Sequence, residues 1–496
     1  MRPRVFRRHR AGPAALFPFA AGIVALGLVA VPARAQERFR RTPPLPDAQR
    51  LELRLPPVET FVLANGLTVA TARRPESSVA TIQLVIRAGE ADSPPDRPAL
   101  ATMTARMIGK GTKMLSADYL EDMIESLGAE VSVAVFMDYT VLTMNVLDEF
   151  LDRAIYILRL MTLEAAFNER ELGVVRRAAF WELYEKKKDP EVLGWRQLLN
   201  VLFEGHPYRI ATYNEDLIKF ITPRDVAGFY DRFYRPANAA VLVTGRIDGA
   251  AIAQKVGSHF GAWSGPPSER TAPPPPRPND RERYCFVEAP ESTAATVFAG
   301  NVIMGSSGPD FFPFLVLKQI LGGTTRSRLF MNLRESKGYA TYAFSEMEAF
   351  GSCGIYWARA LVRPESVVPA MREIVGEIGA LASAPAIPSE VEEAKSYLVG
   401  SLPMRFESPE GFADWMARYV ALGLDKGQWD KGPEELKLVN AERVRETARK
   451  YLSARPVVVI VGRPEWPAAY LGELDTIEVY DANGQLKTIL HKGEGR

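Results

Sequence analysis

The chain has 496 residues, with 61 Lys and Arg against 60 Asp and Glu, a formal net charge of +1. That balance excludes a nucleic-acid binder built on basic excess, and a 47% hydrophobic share excludes a disordered protein. Two cysteines and four histidines exclude a disulfide-dense scaffold and a four-cysteine zinc site, and His9, His206, His259 and His491 lie too far apart for a local metal motif.

Residues 1–35 read as a secretory signal peptide. Arg2, Arg4, Arg7, Arg8 and Arg10 precede an apolar run from Ala14 to Val31, and Ala33-Arg34-Ala35 supplies an A-x-A cleavage site. The run is also long enough for an uncleaved anchor. Residues 1–35 carry six Arg and no acidic residue, so cleavage takes the net charge from +1 to −5. Export implies a periplasmic or secreted protein in an oxidising compartment, where Cys285 and Cys353 either pair or stay as buried thiols.

The first half, residues 51–262, opens on strand-like Thr60–Leu63, an Asn65-Gly66 turn signal and Leu67–Ala70. Val79–Ile86 reads as a core strand. Helices are predicted over Ala99–Met107 and Ala117–Leu127, the second capped by Ser116 or Asp118. Strands at Glu130–Val135 and Tyr139–Val146 lead to helices at Phe150–Leu163 and Asn168–Lys188. Helix Pro223–Tyr234 and strand Ala239–Thr244 close the half. Seven of the thirteen residues 266–278 are Pro, which marks 263–282 as a linker.

The second half, residues 283–470, repeats the order of parts. Strands are predicted at Tyr284–Glu288 and Ala295–Ile303, and helices at Phe311–Leu321 and Ser327–Glu335. Strands at Tyr339–Met347 and Cys353–Ala360 follow, then helices at Pro364–Leu381, Pro388–Leu398, Pro409–Leu422 and Ala441–Leu452. Strand Val457–Val461 comes last. Residues 471–496, with Asn483-Gly484, read as an added hairpin tail. The pattern predicts an α+β protein of two homologous halves, each an antiparallel or mixed sheet with helices on one face.

Several runs carry a resemblance. They include Leu63-Ala-Asn-Gly-Leu-Thr-Val69, Ile86-Arg-Ala-Gly-Glu90, Arg106-Met-Ile-Gly-Lys-Gly-Thr112, His206-Pro-Tyr208 and Tyr234-Arg-Pro-Ala-Asn-Ala239. The run Ser327-Arg-Leu-Phe-Met-Asn-Leu-Arg-Glu-Ser-Lys-Gly338 is the fullest. In this order and spacing, residues 55–465 resemble the pitrilysin/insulinase family of zinc metallopeptidases, which includes mitochondrial processing peptidases and bacterial two-subunit enzymes. The resemblance implies a clamshell of two halves.

Active members of that family carry H-x-x-E-H on the first catalytic helix. Two His one turn apart hold zinc, and the Glu activates its water. The matching positions here are Thr102, Met103, Thr104, Ala105 and Arg106, so both His and the Glu are missing, and Arg106 brings a fixed positive charge. The family's third ligand falls on Glu182, 76 residues later, and a supporting Glu on Val175. Glu182 reads equally as a solvated helix charge or a partner to Arg106. No catalytic residue and no bound metal is expected in this chain.

The second half keeps more of the pattern. The family's substrate-gripping Arg matches Arg334, but its Tyr falls on Thr341, between Tyr339 and Tyr342. Strand alternation puts Tyr342 on the opposite face from Thr341 unless a bulge intervenes. Arg334, Tyr342 and Tyr339 are the candidate peptide-binding residues, though Arg334 also suits a helix C-terminus.

The resemblance therefore implies a non-catalytic, insulinase-like subunit that closes the chamber of a zinc-bearing homologue in a heterodimer and contacts peptide or unfolded protein. A peptide-binding scaffold of the cell envelope and an active zinc endopeptidase are the alternatives.

Overall fold

The structure, a computed structural model, describes residues 55–209, 215–268, 273–277, 279, 281–424, 432–452 and 455–493. The segment read as a signal peptide lies outside the described residues, as does part of the Pro-rich linker.

The first half builds one sheet. Its strands are β1 (Val58–Val62), β2 (Thr68–Arg73), β3 (Val79–Ile86), β4 (Glu130–Val135), β5 (Thr140–Leu147) and β6 (Ala239–Gly245), in the order β1-β2-β6-β3-β5-β4. β2 runs parallel to β6 and the other neighbours are antiparallel. Gly66, at φ +87°, makes the β1–β2 turn that the Asn-Gly pair signals. The wholly buried β6 takes a central place, whereas β4 alternates exposed and half-buried residues and forms an edge.

The second sheet contains β7 (Arg283–Glu288), β8 (Ala295–Met304), β9 (Ala340–Ala349), β10 (Cys353–Val362), β11 (Val457–Gly462), β12 (Thr476–Tyr480) and β13 (Leu486–His491). Its order is β13-β12-β7-β11-β8-β10-β9. The run β7-β11-β8-β10-β9 repeats β2-β6-β3-β5-β4 strand for strand, including the one parallel pair at the same place. This is the internal repetition the sequence suggests. The tail hairpin is no separate appendage, because β12 pairs parallel with β7 and extends the sheet.

The helices of the first half are α1 (Leu100–Met107), α2 (Ala117–Glu125), α3 (Leu151–Leu163), α4 (Glu169–Lys186), α5 (Pro190–Leu202), α6 (Glu215–Ile218), α7 (Pro223–Phe233) and α8 (Gly249–Phe260). Local chemistry sets their starts. Ser116 caps α2, Asn168 caps α4, and Thr222 with Asp225 forms a capping box on α7. The second half adds α9 (Phe311–Gly322), α10 (Arg328–Phe330), α11 (Val367–Ser383), α12 (Pro388–Arg405) and α13 (Pro409–Ala421). After α10 the predicted helix continues as a π-helical turn, Met331–Ser336.

Each sheet buries one face under its own helices. Ile82, Leu84, Val241 and Val243 meet α1, α3, α7 and α8. Trp263 joins this core, so the first half runs one residue into the predicted linker. The opposite faces are covered by exchange. α13 lays Phe412, Met416 and Ala417 on Ala70, Val85 and Leu242 of the first sheet. α5, for which no helix is predicted from sequence, lays Leu193, Leu198 and Leu199 on Cys285, Phe298 and Val459 of the second. Both helices begin with a capping residue followed by Pro, Asp189-Pro190 and Ser408-Pro409.

Polar contacts complete the junction. Buried Asp138, between β4 and β5, accepts hydrogen bonds from the Tyr208 hydroxyl and the Gly351 N–H, each at 2.8 Å. Arg418 of α13 donates to the Ala349 carbonyl at 2.6 Å. Cys285 and Cys353 are both buried free thiols.

Candidate functional site

A helix places every third or fourth residue on one face. On α1 the sequence Ala99, Thr102, Met103 and Arg106 follows that spacing, and so does Ala179, Glu182, Leu183 and Lys186 on α4. These two stripes wall a cavity of ≈ 310 Å³. Val133 and Val135 of the edge strand β4 form a third side, and Val192 and Trp195 of α5 a fourth. Two of the three degenerate motif positions, Thr102 and Arg106, thus face one cavity with Glu182. Ala105 does not line it and is buried behind α1.

The residues in this cavity pair among themselves. Arg106 Nη2 lies 2.6 Å from Glu182 Oε2, and Lys186 Nζ lies 2.7 Å from Glu182 Oε1. Burial raises the Glu182 carboxyl pKa, but hydrogen bonds from Lys186 and Arg106 outweigh it and hold the group below the ordinary carboxylate value. The Thr102 hydroxyl donates to Glu90, whose same oxygen accepts the Thr102 N–H at 3.2 Å. Glu182 is therefore the partner of Arg106, one of the two roles open to it from sequence.

Zinc does not fit this donor set. A site needs three or more protein ligands. Glu182 already binds two cations, the Thr102 hydroxyl is tied to Glu90, and a guanidinium that stays protonated stands at the third position. Among the described residues no group of three or more His, Cys, Asp or Glu side chains could hold a metal ion.

The second-half candidates separate. Arg334 sits on the π-helical turn, half exposed, with its guanidinium 5.0 Å from the Phe330 ring centroid and 3.6 Å from Glu335. Tyr339 packs at the edge of the second-half core. The register between β9 and β10 slips at Thr341, since Leu361 faces Tyr342 while Val362 faces Ala340. This bulge is the exception that strand alternation allows. Tyr342 turns its hydroxyl to Glu191 of α5, which also pairs with Arg359. Burial, then the hydrogen bond to Glu191, raises the Tyr342 pKa.

A line of contacts joins these residues. Arg334 lies over Phe330, Phe330 meets Phe344 at 5.6 Å between centroids, and Phe344 stacks on Tyr342 at 6.0 Å. From Glu191, α5 runs on to Trp195, which touches Trp357 at 4.3 Å and lines the first-half cavity. Sequence reasoning missed Glu191, Trp195 and Arg359. The Asp189-Pro190 start signal could have found the first two.

The chain is similar to known proteins over most of its length. The family model for insulinase (peptidase family M16) matches residues 68–216, and that for the peptidase M16 inactive domain matches 221–398. A protein of Streptomyces coelicolor named an uncharacterized zinc protease is 24% identical over 410 residues, 82% of this chain and 89% of that one. The mitochondrial-processing peptidase subunit beta of Lentinula edodes is 25% identical over 421 residues, covering 80% and 88%. Among solved structures, a protease from Helicobacter pylori superposes with a TM-score of 0.75 at 19% identity, over 82% of this chain and 100% of that one. A peptidase M16 inactive domain from Pseudomonas fluorescens gives 0.76 at 18%, over 82% and 98%. With both family models matched in order and the repeated-sheet fold shared, the chain belongs to the insulinase family of peptidases and peptidase-like proteins.

Proposed function

We propose that this chain is a non-catalytic, insulinase-like subunit that binds peptide and closes the chamber of a zinc-bearing homologue. The carrying observation is the Arg106–Glu182 ion pair, which stands where a metal would need ligands while the cavity around it remains open. Catalysis by this chain alone would need a water-activating group, and the motif position for it is Ala105. Binding needs less. The β4 edge leaves one row of backbone donors and acceptors beside the cavity, a surface suited to an extended peptide added as a strand. Half-exposed Arg334 offers a forked donor for peptide carbonyls. In this reading zinc belongs to the partner, and the N-terminal segment sends the chain to the periplasm.

Purification of the tagged full-length chain from its native cells tests the proposal. A similar-sized homologue bearing H-x-x-E-H should copurify, and Arg334→Ala should lower the kcat/KM of the pair on unfolded peptide. A monomer, or a pair whose activity ignores Arg334, supports the scaffold reading instead. Stoichiometric zinc and peptide cleavage by the chain alone would overturn both.

A further inference from the structure

A second and larger cavity lies away from the Arg106–Glu182 site. It measures ≈ 570 Å³, within the range of small-molecule sites, ~300–1,000 Å³. α9, β9, α12 and α13 line it together with Leu55, Gly432, Pro433 and Leu436, so it sits where the second half receives α13 against the first sheet. Its walls are mostly apolar, with Leu315 of α9, Leu402 of α12 and Trp415 of α13 among them.

Lys318 of α9 is one of several charged residues in the lining, with Glu346, Arg405, Asp414 and Arg418. It lines the cavity, half-buried, and its ammonium makes no hydrogen bond or ion pair among the described residues. A half-buried cation without a protein partner gains from an anion brought to it. Burial lowers its pKa, and of the charges acting on it Glu346 raises the value while Arg405 lowers it again. Glu346 also faces Arg359 at 3.4 Å. Asp414 accepts the Gln83 amide at 2.6 Å, and Arg418 is bound to the Ala349 carbonyl.

We propose that this cavity binds a fatty-acid-like ligand, an unbranched apolar chain ending in one carboxylate, with the carboxylate on Lys318 and the chain along Leu315, Leu402 and Trp415. The mostly apolar lining suits a hydrocarbon tail, which has no amides to satisfy, whereas of these walls only the β9 edge could pair with a peptide backbone, since the backbone of α9, α12 and α13 is satisfied internally.

Displacement of cis-parinaric acid fluorescence from the purified full-length chain tests this, with decanoate, dodecanoate and dodecanol as competitors. Saturable one-to-one binding is expected, about tenfold tighter for dodecanoate than for decanoate because two more methylenes are buried. Lys318→Met should weaken dodecanoate at least tenfold and leave dodecanol within twofold. Leu402→Trp should fill the cavity and weaken both. Absence of saturable binding, or equal loss of dodecanoate and dodecanol in Lys318→Met with its circular dichroism unchanged, overturns the proposal.

Discussion

The Arg106 guanidinium and the Glu182 carboxylate, 76 positions apart, meet at 2.6 Å and tie α1 to α4 across the first-half cavity. Both side chains keep about a third of their surface in solvent, 33% and 38%, so screening limits the pair to at most about 1 kcal/mol. Arg106→Met should cost up to that amount at pH 7. The Glu182 pKa is depressed, so its contribution is present above the unfolded value of 4.5 and is lost as pH falls through the folded value. Urea titrations of both proteins should show the gap at pH 7 closing as pH falls below 4.5. An undiminished gap at pH 3 would mean that the substitution damages packing instead.

Ala99 is the one non-glycine residue with positive φ among those described, at +65°, and it caps α1 at the mouth of the same cavity. A Cβ in this left-handed conformation costs about 1 kcal/mol. Ala99→Gly removes that cost but frees the unfolded chain by about 0.4–1 kcal/mol, so the net gain should be no more than about 0.6 kcal/mol. A rise in urea midpoint at unchanged slope would show it, and a fall would mean that the Ala99 methyl contributes packing worth more than the strain.

Much of this site was legible because helical spacing is rigid. Once Thr102, Arg106 and Glu182 are placed on α1 and α4, their shared face follows from 3.6-residue periodicity. The strands of both sheets were equally legible, since runs such as Val79–Ile86 are mostly apolar, with Thr81 and Gln83 the two polar residues. α5 was not legible for two reasons. Lys186-Lys187-Lys188 and then Pro190 at the end of α4 look like an ending, and Gly194 interrupts the helical pattern of α5. Its destination was hidden too, since nothing local in Pro190–Leu202 says that it covers the other half's sheet. The fate of Tyr342 depended on a bulge at Thr341, and pairing register is a property of two strands rather than one.

His206 is buried, and its Nδ1 accepts the Tyr208 N–H at 3.0 Å, which requires a ring unprotonated at that nitrogen. Burial lowers its pKa, although the nearby Pro274 backbone and the charge of Asp138 oppose this. The unfolded chain therefore binds more protons than the folded one just below the ordinary value of 6.5. This contribution to stability is complete above pH 6.5 and is lost as pH falls through the folded value. His206→Asn keeps an acceptor and cannot titrate, so its stability should change less between pH 6.5 and 5 than that of the parent. Parallel slopes in guanidinium titrations would remove His206 from the acid response.

The two thiols should be inert in the folded protein. Burial pushes the Cys353 thiol up to about 11, and Cys285 is raised further. Iodoacetamide at pH 8 should label neither within the lifetime of the native state and both after denaturation in 6 M guanidinium. Mass spectrometry without reductant distinguishes this from a disulfide, which would block both sites even when unfolded.

Gly194 tests the exchange of helices directly. It lies inside α5, where Ala normally stabilises a helix by roughly 1 kcal/mol over Gly. Here a Cβ would sit 2.1 Å from the Phe298 ring of β8, so the ring or the helix must move. Phe298 is itself buried at 1% exposure between α5 and the sheet, which leaves it little room. Overpacking of this kind costs about 1–3 kcal/mol and outweighs the propensity gain. Gly194→Ala should therefore lower stability, the reverse of the usual helix effect. The double variant Gly194→Ala/Phe298→Leu should recover part of the loss, because the smaller side chain admits the methyl. An additive double variant would mean that α5 does not press on β8 in solution, and the helix exchange would lose its main energetic support.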